Sequence, residues 1–111
     1  MTFEELMKPT DAWQERMEEG EDLFTPENIQ AANEVLDRFI QQLKSLGEDS
    51  SEQRIIECVK NVVLQLNEIN ETYEFFIETM EREELCEFIE AAVGVAGGNW
   101  EEDMTEEWRE W

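Results

Sequence analysis

Residues 24–47 read FTPENIQAANEVLDRFIQQLKSLG, and this stretch decides the fold. Apolar side chains at Ile29, Ala32, Leu36, Phe39, Leu43 and Leu46 recur every three or four positions, which places them on one face of an α-helix. Val35 and Ile40 widen that stripe toward the broad face a globular core requires. Thr25 can cap the helix, and Pro26 suits the first helical position, where no amide hydrogen is needed. Glu27 favours the positive end of the helix dipole. Gly47 and the polar run Glu48-Asp49-Ser50-Ser51 supply a stop and a turn. Glu34 and Arg38, four apart in the favourable order, add slight local support. The spacing predicts a helix over 26–46.

Beyond the turn the same period returns. Ile55, Val59, Val62, Leu66 and Ile69, with Ile56 and Val63 beside them, predict a second helix over about 52–71. The short connection lets it fold back on the first as an αα-hairpin. Phe75-Phe76-Ile77 could be a short strand or a buried connector. A lone strand has nothing to pair with, so a connector is expected. Thr79 can then cap a third helix from Met80 to about Val93, with Leu85, Phe88, Ile89 and Ala92 as its stripe and Gly94, Gly97 and Gly98 as its end. Upstream, Thr2-Phe3-Glu4-Glu5 fits a capping box for a short helix, Asp11 to Glu19 could form another, and Thr105 to Trp111 a final helical turn. The expected fold is all-α. Residues 1–111 form one compact bundle of three principal helices, and the flanks 1–23 and 99–111 are acidic, accessory and helical. All four tryptophans, Trp13, Trp100, Trp108 and Trp111, lie in those flanks.

The chain has 111 residues, 30 Asp+Glu against 8 Lys+Arg, no histidine and a net charge of -22. So acidic a surface repels nucleic acid and anionic lipid. Without histidine there is no imidazole base, no Ser-His or Cys-His pair and no His-ligated metal. No apolar run approaches the ~20 residues that span a bilayer. The N-terminus lacks the basic start and apolar stretch of a signal peptide, so a soluble, cytoplasmic protein is expected. Cys58 and Cys86 form no CxxC pair and sit inside helical patterns. They are expected as buried free thiols, with a disulfide between packed helices as the alternative. Arg82, four residues before Cys86, offers that thiol a basic neighbour.

Candidate chemistry concentrates in the acidic ladder Glu78, Glu81, Glu84, Glu87 and Glu90, with Glu83 alongside. Such spacing admits a hard-metal site for Mg²⁺ or Mn²⁺ in a nucleotide hydrolase, or simply a solvated helix face. No basic cluster accompanies it to hold phosphates, and no glycine-rich phosphate loop is present. No acid lies alone within an apolar stripe, so no desolvated carboxylate pocket is expected. The tryptophans admit two readings: they cover the helical core, or they display apolar and cation–π anchors to a basic partner. Solubility alone needs a net charge of magnitude only roughly 2–8 in a small domain, so the excess here points to steering of a cationic partner.

Leu66-Asn67-Glu68-Ile69-Asn70, followed by the run from Phe76 to Ile89 (FIETMEREELCEFI), resembles a stretch of small uncharacterised acidic bacterial proteins. Some of those are encoded near toxins and suspected of immunity or regulatory roles. The resemblance covers roughly 55–97 and carries no catalytic motif, so no site residue comes with it. It implies a bacterial, cytoplasmic, helical protein and toxin neutralisation.

The expected function is binding without catalysis or cofactor. The partner is a basic protein such as a toxin, met by Glu81, Glu84, Glu87 and Glu90 with Trp100, Trp108 and Trp111 as anchors. The alternatives are the Mg/Mn nucleotide hydrolase and a self-associating structural or adaptor protein, because three-four spacing also suits pairing with a second copy.

Overall fold

The structure, a computed structural model, describes residues 3–21, 23–46, 51–98 and 105–111. After a 3₁₀ turn at Phe3–Glu5, four α-helices follow: α1 (Pro9–Glu18), α2 (Pro26–Leu46), α3 (Glu52–Thr72) and α4 (Thr79–Val95). No strand occurs among the described residues. The architecture is all-α, with four helices in place of three and accessory flanks. The additional one, α1, begins with a proline at its first turn and buries Pro9, Thr10 and Trp13. Of the short capping box expected at Thr2, the first residue lies outside the described residues.

Local chemistry sets the helix limits. At the start of α2, the Asn28 amide donates to Thr25 Oγ1 at 3.1 Å and the Thr25 amide donates to Asn28 Oδ1 at 3.0 Å, a reciprocal cap. Ser51 caps α3 by accepting from the Arg54 amide at 3.3 Å. The α4 cap differs from the expectation: Glu78, not Thr79, is the capping residue. Glu81 causes this, because its Oε1 reaches back to accept from the Glu78 amide at 3.1 Å. Nor does Gly94 end the helix. α4 runs through it to Val95, and Gly97 at φ +90 turns the chain instead. There the Gly97 amide donates to Gly94 O at 3.1 Å and the Gly98 amide to Val93 O at 2.9 Å, the paired bonds of a Schellman ending. A Cβ on Gly98 would lie 2.7 Å from Val93 Cγ1 and 3.3 Å from Ile55 Cδ1, so the chain folds back too close to Val93 of its own helix for a side chain, with Ile55 of α3 also near.

α2 is the centre of the bundle. It packs most extensively on α3 and also touches α1 and α4, while α1 bridges to α4. The buried stripe of α2 is Ile29, Ala32, Val35, Leu36, Phe39 and Leu43. It meets Ile55, Val59, Val62, Val63 and Leu66 of α3 and Leu85, Phe88, Ile89, Ala92 and Val93 of α4 in one continuous core. Trp13 enters that core whole, with no exposed surface. It stacks on Phe24, ring centroids 5.4 Å apart, and meets the edge of Phe76 at 5.9 Å.

The connector between α3 and α4 is irregular, as expected, but Phe75 does not join Phe76 and Ile77 inside. Glu74 and Phe75 both have positive φ, and Phe75 is exposed. Asn70 holds this corner: it is buried, and its Oδ1 accepts from the Ile77 amide at 2.9 Å. Asn70→Ala leaves that amide in a dry setting with no acceptor, which costs about 1–3 kcal/mol. Urea unfolding should show the loss; a change under 0.5 kcal/mol would mean that water replaces the carboxamide.

Candidate functional site

The face shared by α1 and α4 holds the strongest polar constellation among the described residues. Arg16 projects from α1 one helical turn after Trp13. Its Nη1 and Nη2 donate to Oε1 and Oε2 of Glu84 at 2.9 and 2.6 Å, a two-pronged fork, and Nη1 also donates to Glu81 Oε2 at 3.2 Å. Trp13 Nε1 donates to Glu84 Oε1 at 3.2 Å. Hydrogen bonding to Glu84 pushes the Arg16 guanidinium further above its already high value; burial opposes this, and the charges of Glu84, Glu81 and Glu21 add to it.

The ladder on α4 therefore divides. Each step of three residues turns about 60° short of a full circle, so five glutamates separated by four such steps cannot share one face. Glu78 faces solvent at the cap. Glu81 is buried, only 4% exposed, with one oxygen on the helix cap and the other on Arg16. This corrects the expectation that no acid lies among the apolar positions, because Glu81 lies one turn before Leu85 on the inner face. Glu84 is half-buried and saturated by Arg16 and Trp13. Both carboxylates are engaged within the fold, Glu81 fully and Glu84 with 24% of its side chain still in water. Glu87 and Glu90 are exposed. Among the described residues no group of three or more acids or thiols is placed to hold a metal ion.

Of the expected tryptophan anchors, Trp100 lies outside the described residues. Trp108 and Trp111 are half-buried and pack against the core. Asn67 on α3 clamps their backbone: its Nδ2 donates to Trp108 O at 2.7 Å and its Oδ1 accepts from the Glu110 amide at 3.0 Å. The turn at Thr105–Trp108 forms as expected, with the Arg109 amide donating to Thr105 O at 2.9 Å. The indoles here chiefly cover the bundle.

Both cysteines are free. Burial pushes the Cys58 thiol above its ordinary value, with the charge of Glu57 acting in the same direction. Cys86 is half-buried, and its basic neighbour is Arg109, whose Nη1 lies 3.3 Å from Sγ, a contact across 23 positions that helical spacing does not reveal.

The outer sides of the two helices present acids to solvent. Asp11, Glu15 and Glu18 of α1 and Glu83, Glu87 and Glu90 of α4 are all exposed. The ion pairs among the described residues are Lys8–Asp37, Arg16–Glu81, Arg16–Glu84 and Lys44–Glu4, so none of these six acids is in one. Between the helices runs an open groove of about 330 Å³. No helix among the described residues is long and apolar enough to cross a membrane. No protein-family model matches the chain, and no curated protein or solved structure was found similar to it.

Proposed function

We propose that the protein is an acidic binding module that neutralises or regulates a basic protein partner, in the manner of an immunity protein covering a cationic toxin. The observation that carries this reading is the set of six exposed acids on α1 and α4 that stand in no ion pair among the described residues, with Asp11, Glu15 and Glu87 among them lining the groove between the two helices. Such a surface attracts a positive partner over a distance and orients it on approach. Nucleic acid and anionic membrane carry the wrong sign. A second copy also carries -22, which opposes self-association at moderate salt. The working surface is Glu87 and Glu90 with the α1 acids, while Glu81 and Glu84 position the helices behind it.

The experiment uses the purified chain and the product of a neighbouring gene with a basic sequence. Titration calorimetry at 50 and 300 mM salt should give one-to-one binding that weakens at least tenfold at the higher salt. Absence of binding to any basic neighbour, or affinity indifferent to salt, overturns the reading.

A further inference from the structure

The groove between α1 and α4 has a more specific chemistry than the acidic surface around it. Its floor is apolar, formed by Leu6, Ala12, Phe88 and Ala91. Asp11 and Glu15 rim it on one side and Glu87 on the other, all three exposed. Met7 stands at its edge with 84% of its surface open. The one base along it, Lys8, is turned away, its Nζ 2.7 Å from Asp37 on α2. Glu84, at the inner end, is already held by Arg16.

Resting on the binding role proposed above, we infer that this groove seats an arginine side chain presented by the basic partner. An arginine has an apolar stem that covers a floor of this kind and a planar cationic head that reaches carboxylates beyond it. The fork that Arg16 makes with Glu84 shows the same recognition made internally on this face. The groove's volume lies at the low end of ligand pockets, suited to one long side chain and its flanking backbone. An anion is refused, because acids line both walls and the single ammonium is engaged elsewhere. Met7 supplies a flexible apolar contact for the residue beside the arginine.

The probe is a fluorescent hexapeptide of alternating arginine and leucine, titrated against the full chain by anisotropy at 50 mM salt. An equally long peptide with glutamate for arginine is the control. Glu15→Gln with Glu87→Gln should weaken binding at least tenfold. Glu57→Gln with Glu71→Gln, the same charge change on exposed positions of α3, should change it less than twofold. Ala91→Leu fills the floor at unchanged charge and should also weaken binding at least tenfold. Each variant is checked for native helicity, and all these positions are exposed or half-buried.

Equal weakening by both charge pairs, with Ala91→Leu neutral, overturns the groove while leaving charge-driven binding intact. A wild-type protein that binds a basic neighbour but not the peptide overturns the groove in the same way. Failure to bind either one overturns both proposals.

Discussion

Trp13→Ala is expected to lower the unfolding free energy by about 3–5 kcal/mol, the range for deleting a large buried aromatic. The side chain is fully enclosed, and it is the only large apolar residue that α1 buries completely. Its removal empties the space between Phe24 and Phe76 and takes away the indole donor to Glu84. α1 then keeps the Arg16 fork and the smaller contacts of Pro9 and Thr10, but no large apolar anchor. Trp13→Phe separates the two contributions: it keeps most of the packing and loses the N–H, for about 1–2 kcal/mol. Urea unfolding followed by far-ultraviolet dichroism measures both. If Trp13→Ala costs under 1 kcal/mol, the docking of α1 on α2 and α4 is wrong.

Arg16→Met should destabilise by about 2–4 kcal/mol and lower Tm by about 10 °C. The Glu81 side chain is 5% exposed, and without Arg16 its charge has no cation beside it. The figure falls below that for a fully buried pair because the Arg16 side chain keeps 22% of its surface in water, where the interaction is screened. Adding Glu81→Gln to Arg16→Met should recover part of the loss, since the more deeply buried charge is then gone, only the partly exposed Glu84 lacks its cation, and the carboxamide oxygen can still accept from the Glu78 amide. A double mutant no more stable than Arg16→Met would place the damage in lost packing of the arginine stem. An Arg16→Met variant as stable as the original would reduce the fork to a surface contact.

The long helices were legible because their signals are local. Expected limits of 26–46 and 52–71 meet Pro26–Leu46 and Glu52–Thr72, fixed by caps at Thr25 and Ser51 that act within one turn. α1 was legible only as a short candidate. Ten residues with one large buried side chain show no period, and its standing as a full member of the bundle comes from contacts with α2 and α4. The site was legible in sign but not in detail. Glu81 and Glu84 look like their neighbours in a ladder, and what sets them apart is Arg16, 65 and 68 positions away. The three-residue step that suggested a common face was itself the clue, because it rotates each glutamate toward a different neighbour.

Those long separations also order the assembly of the chain. Trp13 and Glu84 are 71 positions apart, so although Phe24 emerges early to stack on the indole, its N–H has no acceptor until α4 has emerged. α2 and α3, nearly consecutive along the polypeptide, need close only a short loop to meet. The first of these four helices to be made thereby completes its contacts only with the last, and until then a nascent chain carries a partly uncovered tryptophan that a chaperone or protease can reach.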